Sequence, residues 1–263
     1  RPSARVALRY SYDDLWALQI APHRKDFIYQ RLVFVWYAAL QRLGVDVDLI
    51  PPGAELDGYR LVIAPTAHLI DAAEVTGLDA FARTGGAVIT GVRSGAKRPD
   101  NAFTDETLPG VLRALVGATV VHWGALPDAV RFGLAEETPG LSADGAGLWV
   151  EALEPLPGAR ALATYHDGPW AGMAAATEHQ IGNGRALYVG WYPTLAQAEA
   201  LLRRILTLQE VPFDESLPPG LVVSRRGPYT ILLNFTDQPL TATVAGEHHV
   251  IAGRDVVVRR TIA

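Results

Sequence analysis

The sequence predicts an α/β domain over residues 1–210, followed by a small antiparallel β domain over residues 211–263. Helix-like and strand-like patterns alternate through the first part of the chain, which favours a parallel sheet. Short extended segments separated by proline and glycine replace that alternation between Val120 and Glu178, and they predict an antiparallel extension of the sheet. The segment 211–220 contains three prolines, and only short strand patterns follow it.

The chain opens with a predicted strand at Arg5–Arg9, and the aromatic and acidic segment Tyr10–Leu18 follows at the carboxyl end of that strand. From Asp26 to Leu43 the apolar residues recur at spacings of three and four, which predicts a helix with Asp26 as its N-cap and Gly44 as its stop. A helix that is apolar nearly all round is usually covered on two sides. We therefore expect an oligomer interface here, with four candidate residues: Phe27, Phe34, Trp36 and Tyr37.

The other predicted elements follow in regular order. Strands are expected at Val45–Ile50, Leu61–Pro65, Ala87–Thr90 and Gly184–Gly190. Helices are expected at Asp71–Arg83, Thr107–Leu115 and Leu195–Leu208. In the β domain the strand patterns are Leu221–Arg226, Tyr229–Phe235, Leu240–Gly246 and Asp255–Arg260. Repeated strand and helix units of this kind build a parallel sheet with the helices on its faces.

The turn Gly91–Gly95 ends a central strand, the place where open α/β sheets usually carry chemistry. It holds Arg93 and Ser94, and the whole chain has no cysteine, which excludes a thiolate nucleophile, disulfides and cysteine-based zinc sites. The nucleophile elbow of the α/β-hydrolases is also excluded, because Val92 and Ala96 stand where it needs glycine. Ser94 as a hydrolytic nucleophile remains a weaker hypothesis, since serine in a turn usually bonds to the backbone; its candidate bases are His68, His122, His166 and His179.

Composition excludes several classes of partner. The chain has 263 residues, a net charge of −5 and a pI near 5.8, so we expect no nucleic acid partner. Apolar runs are too short to cross a membrane and no signal peptide is visible, which favours the cytoplasm. The histidines show no metal-binding spacing, so neither a metal nor another cofactor is expected.

Carboxylates and tryptophans supply the remaining candidates. A glycosidase uses two carboxylates, and Glu136 with Glu137 or Glu151 with Glu154 could form such a pair, although we expect these four to be solvated charges. Tryptophan on a turn can stack on a sugar or form an interface. Trp16 and Trp191 are the candidates for ligand contact or interface, whereas Trp36 is expected in the core or an interface.

Five segments together resemble the non-catalytic part of the family 42 glycoside hydrolases, the bacterial β-galactosidases. They are VALRYSYDDLWAL from Val6, RLVFVWYAALQRLGVDVDLIPPGAELDGYRLVIAPTAHLI from Arg31, GGAVITGVRSGAKRPDN from Gly85, GNGRALYVGWYP from Gly182 and LPPGLVVSRRGPYTILLNFTD from Leu217. The first four resemble the trimerisation domain of that family. The resemblance implies a flavodoxin-like sheet of the class I glutamine amidotransferase type that lacks its nucleophile. The last segment resembles the small C-terminal β domain.

The resemblance also implies a function. The chain would assemble a homotrimeric β-galactosidase and border its active sites. Retaining hydrolysis of terminal β-galactosides would belong to a (β/α)8 barrel with two catalytic glutamates. That barrel would precede Arg1, and a sequence of this length cannot contain it beside the two domains. We therefore expect no catalytic residue in this chain, and contact with the substrate only through the barrel.

A second hypothesis comes from a different class of protein. The chain could be a free-standing α/β protein that binds a carbohydrate or another ligand with Trp16, Arg93 and Ser94 at the carboxyl end of the sheet. Oligomeric state and sugar titration distinguish it from the assembly role.

Overall fold

The computed structural model describes residues 4–128, 130–136, 139–141, 144–214 and 217–260, with only the backbone of Glu136. The first part of the chain forms β1 (Val6–Arg9), α1 (Tyr12–Ile20), α2 (Tyr29–Arg42), β2 (Val47–Ile50), β3 (Leu61–Ala64), α3 (Ala72–Arg83), β4 (Ala87–Gly91) and α4 (Arg113–Val116). The antiparallel part and its closing helix are β5 (Ala118–Ala125), β6 (Leu134–Glu136), β7 (Gly147–Pro155), β8 (Ala159–Tyr165), β9 (Ala174–Ile181), β10 (Gly184–Val189), β11 (Trp191–Tyr192) and α5 (Leu195–Leu208). The last strands are β12 (Leu221–Arg226), β13 (Tyr229–Asn234), β14 (Leu240–Val244), β15 (Glu247–Ile251) and β16 (Val256–Arg260).

One mixed sheet organises the first 210 residues. Its parallel strands lie in the order β2-β1-β3-β4-β10, and β9 continues the sheet antiparallel to β10. The strands β5, β6, β7, β8 and β11 extend it further by antiparallel pairs. The predicted α/β architecture with an antiparallel extension is therefore confirmed.

Helices cover both faces of the parallel strands. In β3, Leu61 and Ile63 point into the core that α2 and α5 complete, whereas Val62 points into the core beneath α3 and α4. Neighbouring residues of a strand face opposite sides of the sheet, and here helices bury both of those sides. This is why β1, β3 and β4 are apolar along nearly their whole length rather than alternating with polar residues.

Two helix predictions were wrong in their details. The first predicted helix begins at Tyr29 with Ile28 as its N-cap, because Asp26 forms an ion pair with Arg24 instead of capping the helix. The predicted helix at Thr107–Leu115 is replaced by a 3₁₀ turn at Gly110–Leu112 and the single turn of α4. Gly110 has a φ of 58°, which an α-helix cannot include.

The α1 helix was not predicted, because large apolar residues lie on its exposed face as well as on its buried face. Asp14 is buried, whereas Tyr12, Trp16 and Ile20 are 63%, 56% and 74% exposed. Ser11 caps the helix by accepting a hydrogen bond from the Asp14 N–H at 3.1 Å. The stripe formed by Tyr12, Trp16 and Ile20 recurs every four residues and so lies along one face of α1. We call these three residues the α1 stripe.

The last five strands form two small sheets, β12-β13-β16 and β14-β15. The sequence patterns predicted four of these strands but not β15. The two sheets share an apolar core of their own that includes Leu221, Leu232 and Ile251. Two aspartates join these sheets to the rest of the chain. Asp46 accepts from the Arg225 N–H at 2.9 Å, and Asp214 accepts from the Arg225 guanidinium at 2.8 Å.

Candidate functional site

The turn after β4 is closed by hydrogen bonds within the chain. Ser94 is buried, and its Oγ accepts a hydrogen bond from the N–H of Ala67, in the loop after β3, at 3.0 Å. Gly95 has a φ of 66°, and a Cβ added there would lie 1.9 Å from the carbonyl oxygen of Pro109. Only glycine fits this position. The turn is a tightly packed crossing of loops rather than an open elbow.

The described residues show no histidine hydrogen-bonded to Ser94. His68 Nδ1 lies 3.0 Å from the Arg93 carbonyl oxygen, and His179 Nδ1 lies 3.0 Å from the Leu115 carbonyl oxygen. His122 stacks on Trp170. Because a serine nucleophile needs a base within hydrogen-bond reach, the geometry gives no support to a hydrolase built on Ser94.

Arg93 is buried, and its side chain makes its contacts within the protein. Its guanidinium donates to the carbonyl oxygens of Ala21 and Pro22, each at 2.9 Å. It also lies 5.0 Å from the ring centre of Phe27 and 4.9 Å from that of Trp149. Burial lowers the pKa of Arg93 to about 10, so it is still a cation at neutral pH. Arg93 therefore holds the segment after α1 against the sheet.

Glu151 corrects one prediction. Expected as a solvated charge, it is buried in β7, where its carboxylate accepts from the Arg93 N–H at 2.8 Å, the Trp149 indole at 2.9 Å and the Tyr188 hydroxyl at 2.7 Å. Burial raises the pKa of Glu151, while these donors and the Arg93 charge act in the opposite direction. Its proposed partner Glu154 is exposed, so the two do not form a catalytic pair. Of the other predicted pair, Glu137 and the side chain of Glu136 lie outside the described residues.

His68 is one of six residues with a buried side-chain polar atom that has no hydrogen-bond partner in the described part of the chain. It is 1% exposed, and its Nε2 has no hydrogen-bond partner. Burial lowers the pKa of His68 to about 4, so the ring is neutral at pH 7. Its Nδ1 faces a carbonyl oxygen and must carry the proton, which leaves a lone pair on Nε2.

A pocket of about 160 Å³ lies beside His68 at the carboxyl ends of β3 and β4. Trp123 and Phe103 stand at its rim, 51% and 62% exposed. The Trp123 ring stacks on Trp149 with ring centres 5.3 Å apart. The remaining lining residues are His23, Arg93, Ala96, Leu108 and Glu151. Sequence reasoning named this edge of the sheet but not these aromatic residues, because Trp123 and Trp149 come from β5 and β7, far from the turn in sequence.

The other sequence candidates are divided between surface and core. Trp191 is fully buried and its indole donates to Gln197 at 2.9 Å, so the expected contact with a ligand or interface is wrong for this residue. Phe27 and Trp36 are core residues and offer no surface to a partner, which corrects their place among the interface candidates. Phe34 and Tyr37 remain exposed, with ring centres 6.2 Å apart.

An ion-pair cluster lies at the carboxyl end of the first strand, beside a pocket of about 340 Å³ that Arg9 and Glu74 line. Arg9 at the end of β1 contacts Asp14 and donates to Glu74 at 2.6 Å. Asp14 also accepts from the Leu69 N–H at 2.7 Å. Burial raises the pKa of Asp14, against the effect of the Arg9 charge. Among the described residues no group of three or more metal-ligating side chains could hold a metal ion.

These features define a class of protein: an α/β domain whose central strand ends without a nucleophile, linked to a small β module. Its family follows from comparison with known proteins. The family model of the beta-galactosidase trimerisation domain matches residues 4–212. The chain belongs to this family, and the resemblance inferred from the sequence is confirmed.

Similar proteins agree with this assignment. The chain is 36% identical to beta-galactosidase BgaH of Haloferax lucentense over 258 residues, covering 97% of this chain and 38% of BgaH. It is 33% identical to a beta-galactosidase of Thermus thermophilus over 256 residues, covering 96% of this chain and 37% of the relative. The solved beta-galactosidase of Halorubrum lacusprofundi has a TM-score of 0.88 at 33% identity, covering 98% of this chain and 39% of that structure. The chain thus spans less than two fifths of these relatives and corresponds to a non-catalytic region.

Proposed function

We propose that this chain assembles a β-galactosidase as a homotrimer and borders its active sites, while a separate catalytic barrel hydrolyses terminal β-galactosides. Membership of the trimerisation family supports the assembly role. The buried Ser94, with no histidine bonded to it among the described residues, supports a non-catalytic role for the turn. The chain covers 38% and 37% of these two relatives, so a protein of their length has enough further residues to form a barrel.

The observation that carries the assembly proposal is the α1 stripe. Three large apolar side chains on one face are exposed to more than half of their possible extent. Contiguous apolar surface of this kind marks contact with another protein. A second copy of the chain is the occupant that the family implies. The exposed Phe34 and Tyr37 on α2 form a second candidate surface, which replaces the larger set predicted from the sequence.

We also infer the finer architecture that the resemblance implies. Numbered along the chain, the five parallel strands have the order 2-1-3-4-5, which supports a flavodoxin-like sheet. The amidotransferase-type relationship rests on the position of Ser94 after β4. The separate apolar core after Leu217 and the three prolines between 211 and 220 support a domain boundary at 210/211. A cytoplasmic location is supported by the absence of cysteine, since nothing in the chain requires an oxidising compartment.

The experiment is sedimentation equilibrium of the 263-residue chain and of two charge variants. We expect the wild type to sediment at three times its 28.3 kDa mass, and Trp16→Glu in the α1 stripe to sediment as a monomer. Val250→Glu is the matched control, because Val250 is an exposed apolar residue in the β module. A wild-type monomer at every concentration, or a Trp16→Glu variant that assembles like the control, would refute the proposal.

The free-standing binding protein is not favoured with the residues first assigned to it. The side chains of Arg93 and Ser94 form hydrogen bonds with backbone groups of the chain itself. Trp16 belongs to the α1 stripe on the outer face of a helix. No observation brings these three residues to one ligand.

Among the described residues, no helix is long and apolar enough to cross a membrane.

A further inference from the structure

The assembly role leaves the Nε2 lone pair of His68 unused. The Arg93 carbonyl fixes the proton on Nδ1, so Nε2 can only accept a hydrogen bond. A buried acceptor without a partner costs free energy unless something donates to it. His68 lines the pocket beneath Trp123 and Phe103, so a molecule in that pocket can supply the donor.

The charged groups around this pocket are already paired. The Arg93 guanidinium donates to two carbonyl oxygens and packs between two aromatic rings. The Glu151 carboxylate accepts from three donors. His23 Nδ1 lies 3.0 Å from both the Ala21 carbonyl oxygen and an Arg93 Nη atom. The pocket therefore offers an acceptor and aromatic surface, with no unpaired ion to attract a charged ligand.

The size and the walls of the pocket limit what can bind. At about 160 Å³ it is smaller than the roughly 300 Å³ at which sites for drug-sized ligands begin. One six-membered ring with its substituents is the appropriate scale. Trp123 is held by its stack on Trp149, so its exposed ring is a fixed apolar wall at the opening. Phe103 supplies a second exposed ring at the same rim.

We propose that this pocket binds a neutral monosaccharide ring, with a sugar hydroxyl donating to His68 Nε2 and the ring lying against Trp123. A sugar combines the two properties that the pocket asks for. Its hydroxyls are hydrogen-bond donors, and its C–H groups form an apolar face that packs on an aromatic ring. The inference does not depend on the trimer, because every residue in it comes from one copy of the chain.

The test is saturation-transfer difference NMR of D-galactose with the 263-residue chain. For a ligand of this size we expect a dissociation constant on the order of 1 mM. Trp123→Ala removes the exposed wall together with its stack on Trp149, and His68→Phe keeps a ring but removes the acceptor. Each should weaken binding by about tenfold. Phe235→Ala is the matched control, because Phe235 is an exposed aromatic residue of the β module that does not line the pocket, and it should leave the affinity unchanged.

Three outcomes would overturn the proposal. The first is no saturation transfer to galactose at any concentration tested. The second is equal transfer in the wild type and Trp123→Ala, a variant that is expected to fold because Trp123 is half exposed. The third is much tighter binding of D-galacturonate than of D-galactose, which would show an anion site instead. Sedimentation of the same samples distinguishes a failure of the sugar-binding proposal from a failure of the assembly proposal.

Discussion

The backbone N–H of Arg93 donates to the carboxylate of Glu151 at 2.8 Å, and this bond joins the turn after the parallel strand β4 to the antiparallel strand β7. Two parts of the sheet that lie far apart in sequence thus meet at one buried carboxyl group. The turn after β4 is therefore a structural junction.

Ser94→Ala should reduce stability without changing any hydrolytic rate. The variant leaves the buried N–H of Ala67 without an acceptor, a loss of about 1–3 kcal/mol in the free energy of unfolding. Denaturant unfolding measures the loss. In parallel, a chromogenic β-galactoside should show no turnover with either the wild type or the variant. Turnover by the wild type that disappears in the variant would restore Ser94 as a nucleophile.

Gly95→Ala should destabilise the protein far more than Gly53→Ala. Both glycines have positive φ, 66° and 69°, so an alanine strains the backbone similarly at each. The Cβ at position 95 meets the Pro109 carbonyl oxygen, whereas the one at position 53 meets nothing within 4 Å. We expect a loss of about 1 kcal/mol at Gly53 and about 3 kcal/mol or more at Gly95. Equal losses in thermal unfolding would mean that the crossing of loops is loosely packed.

Arg93→Lys should loosen the segment after α1. Lysine keeps the charge but cannot donate to two carbonyl oxygens with a planar fork while packing flat between Phe27 and Trp149. Trypsin should then cleave faster at Arg24 or Lys25 under native conditions. Arg83→Lys is the control, because Arg83 makes an exposed pair with Asp79. Unchanged cleavage in Arg93→Lys would show that the apolar contacts alone hold this segment.

Glu178→Gln should make the protein less stable at neutral pH but not at low pH. Burial alone would raise the pKa of Glu178, but hydrogen bonds from Arg204, Arg185 and Arg160 outweigh it and lower the pKa to about 2. A carboxyl with a lowered pKa in the folded state stabilises above its unfolded pKa, near 4.5, and loses that contribution as the pH falls toward 2.

Allowing for solvent screening, the variant should lose about 2 kcal/mol at pH 7. The difference from the wild type should shrink between pH 4.5 and pH 2 in urea unfolding. Glu154→Gln, at an exposed position, should show neither effect. A loss at Glu178 that stays constant with pH would point to packing rather than charge.

The sequence predicted the elements whose patterns are set by simple burial. Both faces of β1, β3 and β4 are buried, so each strand has the sequence of a short apolar run. The helix α5 has one apolar face and a Thr194 cap, so its start was predicted to the residue. For such segments the local sequence pattern already indicates which residues are buried in the folded protein.

The features that were missed depend on side-chain pairings that the local sequence pattern does not show. The α1 helix buries Asp14 because Arg9 and the Leu69 N–H receive it, and neither partner is visible in the local pattern. Glu151 was taken for a solvated charge because two of its three donors come from other parts of the chain, the turn after β4 and the strand β10. The pocket was missed for the same reason, since Trp123 reaches it only through the antiparallel extension.

The edge strand β2 has a consequence for how copies of this protein can associate. A free strand edge invites another chain to extend the sheet, and such growth has no natural end. Here β2 is four residues long, includes Asp48, and is preceded by Asp46, which the β module binds. A neighbouring strand would find little backbone to pair with and negative charge beside it. Self-association is thus directed to helix faces, where rotational symmetry can close a finite particle rather than a fibre.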